Sequence, residues 1–327
     1  MSEHSPFALA AAPTTTTTSE SANGEVSARV CPTWAAPELF PFESHFVAVD
    51  GHRMHYVDVG HGPPLLLLHP APAWCGYYAA LIRALGDGVR CIAPDLPGFG
   101  CSTARADYRF SLREHAAAIE GFITQLDLRD LSLLVHDSAG PIGLGVAARH
   151  PERFRAVVLT STFAWPLTDY PVIRRILRLV GTAPFAAANA ALNLVPRIMV
   201  RVAPRRRRLT RAERAAITGA FPTWAHRRRV TRLMSDLARD EEYLRNVEAG
   251  LRAHLADRPA LIMYGEHDPA RHAGFDRRFA QLFPHHRTVV IAGEQHFAHL
   301  AAADEIALHV RDFLRQPAHH VAQAPRT

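Results

Sequence analysis

The chain has 327 residues, 48% of them hydrophobic and 21% charged, with a formal net charge of +6. That is enough apolar material for one large core, or a core with an inserted cap. The four cysteines, Cys31, Cys75, Cys91 and Cys101, are too few and too scattered for a disulfide framework, and they lack zinc-ligand spacing.

Residues 1–36 are rich in Ala, Ser, Thr and Pro, carry five successive threonines (Thr14 to Thr18), and read as a disordered tail. Glu3 and the short apolar run Phe7 to Ala12 argue against a signal peptide. No uninterrupted apolar stretch is long enough to span a bilayer, so a cytoplasmic location is expected. Ser44 to Val49 and Arg53 to Val59 alternate as two strands joined by Asp50-Gly51, a hairpin signal. The aliphatic run Pro64 to His69 predicts a strand buried on both faces. A helical stretch, Tyr77 to Leu85, and a short strand, Arg90 to Ala93, come next. The turn Asp95 to Gly100 leads to helical periodicity over Ser111 to Leu126. Leu131 to Val135 and Ala156 to Thr160 are further buried strands flanking a helix that runs through Arg149. Strands alternating with helices at this spacing predict an α/β fold with a mostly parallel, doubly wound sheet.

From Phe163 to about Ala256 no clear strand is visible, only helical segments punctuated by six prolines. Alternation returns with Pro259 to Tyr264, a helix near Phe275 to Phe283, the strand Arg287 to Ile291 and a helix from Ala301 to Leu314. The expected organisation is a core of residues 37–162 and 258–316, a helical cap of residues 163–257 over the site, and a flexible C-terminal tail, 317–327.

Charge is unevenly spread. Between Pro171 and Leu233 there are fifteen arginines against one acid, Glu213; lysine is absent from the whole chain. The plain reading is a solvated face of cap helices. Steering of anionic substrates, a membrane surface or an acidic partner are the other readings. Nucleic acid is not expected, because no aromatic side chains interleave with the arginines.

The run Leu134-Val135-His136-Asp137-Ser138-Ala139-Gly140 places a tight turn between a buried strand and a helix. Such a nucleophile elbow lifts one side chain out of the sheet and aims the first N–H groups of the helix at the reacting atom. Its cramped backbone demands small residues two positions either side of the nucleophile. Centring on Asp137 puts Val135 and Ala139 there; centring on Ser138 puts His136 there, a worse fit, so Asp137 is favoured and Ser138 is the other candidate. Asp268 follows one later strand and His296 the next. The order nucleophile, acid, histidine at the carboxyl ends of parallel strands suits a nucleophile–base–acid unit. A carboxylate nucleophile attacks sp³ carbon and leaves an alkyl ester for water to hydrolyse, whereas a serine attacks an acyl carbonyl. The loop His69-Pro70-Ala71-Pro72 is placed to supply the Ala71 N–H beside that of Ser138 as oxyanion or leaving-group donors, with Pro70 or Pro72 open to a cis bond.

The His-x-x-Pro loop, the Asp-x-Pro-Gly-x-Gly turn, the His-Asp elbow, Val158 to Pro166, Gly265 to Pro269 and Gly293 to Ile306 resemble the haloalkane dehalogenase branch of the α/β-hydrolases. That branch also holds epoxide hydrolases and the β-lactone decarboxylases of olefin biosynthesis. The resemblance covers about residues 38–316 and implies a cofactor-free hydrolase acting with water. No His-Glu-x-x-His or comparable metal-ligand spacing exists, and a cap rich in Ala, Leu, Val and Phe suits a small to medium apolar substrate. It departs where such dehalogenases carry an asparagine and a tryptophan whose side-chain N–H groups hold the departing halide; Ala71 and Ser138 stand there. Trp74, Trp165 and Trp224 are candidates to replace those donors, and Tyr170 to protonate a leaving oxygen. In members that carry the acid after the strand following the elbow helix, the matching position is Ser161, which leaves Asp268 as the acid. His299 is expected one layer out from His296, and His136 to pack and hydrogen-bond under the elbow. The expected function is opening of a C–X bond through an ester at Asp137. Epoxide or β-lactone hydrolysis with the same triad, a Ser138 esterase, and a non-catalytic binding member of the fold are the alternatives.

Overall fold

Asp50 and Gly51, at φ 46° and 79°, close a two-residue hairpin between β1 (His45–Val49) and β2 (His52–Val59), the positive-φ turn that matches strand twist. The computed structural model describes residues 19–20, 26–27, 32–202 and 205–315. β3 (Pro64–Leu68), β4 (Arg90–Pro94), β5 (Leu131–Asp137), β6 (Phe154–Thr162), β7 (Ala260–Gly265) and β8 (His286–Ile291) complete one eight-stranded sheet. Its order is β8-β7-β6-β5-β3-β4-β2-β1. From β8 to β4 every pairing is parallel; β2 joins β4 antiparallel, and β1 joins β2 likewise. Leu65 to Leu68 and Leu131 to Val135 have helices over both faces and are wholly buried, as a continuous aliphatic run requires.

The crossover helices are α1 (Ala79–Leu85), α2 (Leu112–Gln125) and α3 (Ala139–Arg149). Ser111 starts α2 through a capping box with Glu114, which satisfies two otherwise orphaned N–H groups. Between β6 and β7 the chain is helical: α4 (Pro171–Val180), α5 (Ala183–Leu192), α6 (Leu194–Val202), α7 (Arg211–Thr218), α8 (Trp224–Asp236) and α9 (Glu241–His254). After β7 come α10 (Pro269–His272) and α11 (Phe275–Leu282), and α12 (Ala303–Arg315) closes the described chain against α1.

Two observations bear on the expected boundaries. α9, at the end of the expected cap, packs along α3, and the Tyr243 hydroxyl donates to the Pro141 carbonyl at 3.0 Å. At the N-terminus, Ala35 is buried and the Trp34 ring meets the Trp74 ring edge-on at 5.8 Å, so packing begins before residue 37. The rest of the expected 1–36 tail lies outside the described residues, apart from a short antiparallel pairing of Ser19–Glu20 with Val26–Ser27; the expected tail at 317–327 lies wholly outside them.

Candidate active site

β5 ends in a strained residue. Asp137 has φ 47°, whereas Ser138 is already helical at φ −60°, ψ −20°. A non-glycine residue held there costs about 1–3 kcal/mol, so the surroundings must enforce it. The Thr162 hydroxyl of β6 does so, donating to the Asp137 carbonyl at 2.6 Å where the β5–β6 register shifts. Val135 and Ala139, two positions either side, are both fully buried. The Asp137 side chain is 22% exposed.

Asp268 caps α10, its Oδ1 accepting from the Ala270 N–H at 2.9 Å. The loop after β8 carries His296 and is tied to the Asp268 loop by backbone bonds. The His267 N–H donates to the Glu294 carbonyl at 2.8 Å, and the Gly293 N–H to Glu266 Oε2 at 2.7 Å. Gly265 lets the loops approach this closely, since a Cβ there would sit 2.6 Å from the Glu294 carbonyl oxygen and collide with that of Gln295. His296 then stands between two carboxylates: Nδ1 is 3.1 Å from Asp268 Oδ1, and Nε2 is 3.4 Å from Asp137 Oδ1.

The electrostatics follow from that placement. Burial opposes charge on the imidazole, but the two carboxylates outweigh it and the pKa of His296 is pushed up to about 10. Burial also works against the charge on Asp268, yet His296, the Ser161 hydroxyl and the Ala270 N–H hold its carboxyl below the usual range. Two further histidines enclose the imidazole. The His136 and His299 rings lie 5.1–5.5 Å from their neighbours, with His136 stacked on Tyr77 and His299 Nδ1 3.3 Å from the Tyr77 hydroxyl. Burial, reinforced by the charge on His296, lowers the pKa of His299 to about 3 and that of His136 well below normal, so both rings are neutral. His136 Nδ1 lies 3.3 Å from Thr160 Oγ1, the role expected beneath the elbow.

The leaving-group side differs from expectation. The Ala71–Pro72 bond is cis, and the Ala71 N–H is already engaged: it donates to Ser138 Oγ at 2.7 Å. A hydroxyl has one proton of its own to give, so the Ser138 side chain, which accepts from Ala71, keeps an O–H to donate beside the Ser138 backbone N–H at the start of α3. Ser138 Oγ makes no hydrogen bond to His296 among the described residues. His69 fixes the loop, with Nε2 accepting from the Leu96 N–H at 3.0 Å.

Of the four expected pocket aromatics, three have packing partners of their own. Trp74 is buried, packs on Phe40, and spends its N–H on the Ala216 carbonyl at 2.9 Å. Trp165 is enclosed by Phe275, Phe279 and Arg278 of α11. Tyr170 packs on Phe275. Trp224, at the first turn of α8, is 61% exposed. The rings that do border the triad are Phe297, beside both His296 and His136, and Tyr77. Glu294 carried no motif signal; it is buried and accepts the backbone N–H groups of Arg205 and Arg206, anchoring the arginine run beside His296.

Among the described residues, one group has metal-ligand geometry, the buried His55, Cys75 and Asp95. Its donors satisfy each other. Asp95 accepts from His55 Nδ1 at 2.8 Å and from the Cys75 and Cys101 N–H groups, and burial pushes the Cys75 thiol up, so it stays protonated.

An eight-stranded, mostly parallel sheet bearing a strained acid at a strand-to-helix elbow, with a histidine and second acid on later loops, has the architecture of a hydrolase. The family described as alpha/beta hydrolase fold matches residues 63–303. A cis-3-alkyl-4-alkyloxetan-2-one decarboxylase of Shewanella oneidensis is 30% identical over 291 residues, 85% of this chain and 90% of the relative. Haloalkane dehalogenase 2 of Mycobacterium tuberculosis is 33% identical over 272 residues, 83% of this chain and 94% of the relative. The crystal structure of haloalkane dehalogenase DbeA from Bradyrhizobium elkani superimposes with a TM-score of 0.73 at 22% identity, covering 83% of this chain and 98% of that one. The chain belongs to the alpha/beta hydrolase fold family and is a haloalkane dehalogenase-like hydrolase. Among the described residues no helix is long and apolar enough to cross a membrane.

Proposed function

We propose that this hydrolase opens a carbon–leaving-group bond of a small, apolar substrate through an alkyl ester on Asp137. The observation that carries the reading is the strained Asp137 with His296 Nε2 3.4 Å from its carboxylate. A carboxylate oxygen attacks the substrate carbon, the C–X bond breaks, and its electron pair leaves with X. Esterification removes the charge of Asp137, so the imidazolium loses one of its two anionic partners and its proton becomes easier to release. The imidazolium gives that proton to solvent, or to an oxygen leaving group. The neutral ring then takes a proton from water, whose oxygen attacks the ester carbonyl carbon. As the tetrahedral intermediate collapses, the ring returns a proton to the departing alkoxide, so the alcohol leaves and Asp137 is restored as a carboxylate. Asp268 orients the ring and supports its charge throughout. In this reading α4 to α8 form the lid over the triad, and the compartment is the cytoplasm, in keeping with free thiols at Cys75, Cys91 and Cys101.

The leaving group is a halide by kinship with the dehalogenases. A specific observation favours a second reading, a strained oxygen ring such as an epoxide or β-lactone. With the Ala71 N–H spent on Ser138 Oγ, the donors beside Asp137 are the N–H and hydroxyl of Ser138, and losing one donor to a developing anion costs about 3 kcal/mol or more. An oxygen leaving group, unlike a halide, also gains from a proton, and the charged His296 has one to give.

The test uses His296→Gln, in which the second step stalls. The variant is incubated with bromoalkanes, terminal epoxides, β-lactones and p-nitrophenyl esters, and adducts are mapped by peptide mass spectrometry. An alkyl adduct on Asp137 is expected, and the compound that delivers it names the leaving group. An acyl adduct on Ser138 would make the protein a serine esterase. No adduct, with no turnover by the unaltered protein, would leave a non-catalytic binding member of the fold.

A further inference from the structure

The arginine-rich helices carry a feature that charge alone does not explain. Nine large apolar side chains are strongly exposed among the described residues, and seven of them fall between Val172 and Trp224. On α4 the outward stripe reads Val172, Arg175, Ile176, Leu179, with the three aliphatic residues 56–71% exposed. Residues spaced by three and four share one helix face, so this pattern is a deliberate surface and not scattered exposure. On α6, Arg197 and Arg201 run beside Ile198 and Val202, again outward. On α8, Trp224 is followed at helical spacing by Arg228 and Arg232, and Arg239 lies in the turn just after the helix. α8 packs on α4 and α5, and α6 packs on α5, so these stripes belong to one helical block.

The arginines on this block are largely unspent. Arg175, Arg197, Arg201, Arg228, Arg232 and Arg239 form no salt bridge among the described residues. A groove of about 450 Å³ between α8 and the α4–α5 turn is lined by Arg228, Arg229, Arg232 and Arg239 and by no carboxylate. The acids nearest on the chain are turned away: Asp236 accepts from the Leu112 N–H, and Asp240 pairs with Arg113. Arg229 is held inward by the Gly98 carbonyl and the Phe110 ring.

We propose that this face docks on an anionic lipid bilayer, its aliphatic side chains and Trp224 entering the headgroup boundary while the arginines meet lipid phosphates. Charge selects this occupant. A second copy would set one arginine-rich face against another. A nucleic-acid backbone matches the arginines but leaves the exposed Val, Ile and Leu side chains unsatisfied. A bilayer with acidic headgroups answers both kinds of side chain at once. The surface is separate from the triad, and the proposal holds whichever leaving group the site takes.

The experiment is sedimentation of the full chain with vesicles of phosphatidylcholine alone and of phosphatidylcholine mixed with phosphatidylglycerol, over a salt series. Binding is expected only to the mixed vesicles, weakening as salt rises. Replacing Arg228, Arg232 and Arg239 together by Ala should weaken partitioning about a hundredfold, roughly fivefold for each arginine. Ile176→Ser with Leu179→Ser should weaken it even at low salt. All five residues are exposed or partly exposed, so melting temperatures should not change and loss of fold is separately detected. Trp224 emission should shift to the blue and be quenched by brominated acyl chains, and Trp224→Phe should abolish that signal. A protein that stays in the supernatant with both vesicles, or that sediments with Trp224 unquenched, overturns the proposal. So does a doubling of mass in light scattering without vesicle binding, which would assign the face to a second copy, or capture by an acidic polypeptide but not by vesicles.

Discussion

The Ala71 N–H donates to Ser138 Oγ across 2.7 Å, joining the loop after β3 to the residue that follows the elbow. This bond occupies the Ala71 N–H and leaves the Ser138 hydroxyl its own proton, which the proposed mechanism directs to the leaving group. Ser138→Ala is therefore expected to lower kcat/KM by about 10²–10³, the cost of one lost donor to a developing anion, while the Asp137 adduct in the His296→Gln background still forms. Steady-state kinetics and peptide mass spectrometry on the same variants check both halves. An adduct found on Ser138 in His296→Gln, and lost in Ser138→Ala, would make Ser138 the nucleophile.

Stability should depend on pH through His296. Its folded pKa, about 10, lies above the unfolded value of 6.5. The folded state thus holds a proton that the unfolded state has released between those values. The stabilisation is complete below pH 6.5 and is lost as pH rises toward 10, with a slope of about 1.4 kcal/mol per pH unit. Urea unfolding at pH 6, 8 and 10 should show this decline in the unaltered protein and its absence in His296→Gln. A flat difference between the two would show that the carboxylates do not hold the ring charged.

Gly265 sets how closely the Asp268 and His296 loops approach. Gly265→Ala brings a methyl group against the Glu294 and Gln295 carbonyls, so the loops must separate. A destabilisation of about 1–3 kcal/mol is expected, with a disproportionate fall in kcat because the Asp268–His296 geometry opens. Chemical denaturation compared with kinetics separates the two effects; unchanged kcat in a folded variant would mean the loop contact is not what positions His296.

Tyr243 ties α9 to α3. Tyr243→Phe removes the hydroxyl bond to the Pro141 carbonyl and should cost about 1 kcal/mol of stability. The expectation is no change in kcat, since α9 packs on α3 and Tyr243 makes no contact with the triad among the described residues. A variant with normal stability and altered turnover would place α9 with the lid after all.

Much of this was legible in the chain. The Asp50-Gly51 hairpin, the buried runs of β3 and β5, the elbow at Asp137 and the loops ending in Asp268 and His296 all rest on local rules. Turn residues, period-two alternation and strand-to-helix junctions act over a few residues, and the fold class follows from their order. Other features depended on neighbours distant in sequence. Periodicity says that Val172, Ile176 and Leu179 share a face, but not whether anything covers it; nothing in the described structure does, and they stand exposed. A tryptophan's type says that its N–H wants a partner, but not that Trp74 finds it on Ala216, 142 residues away. The Ala71 N–H, Glu294 and α9 follow the same logic, because each is defined by what tertiary packing brings against it. Sequence alone determined the fold and the order along the chain of Asp137, Asp268 and His296, the candidate catalytic groups. The tertiary structure decided which donors remain free, which aromatics border the triad and which helix faces meet solvent.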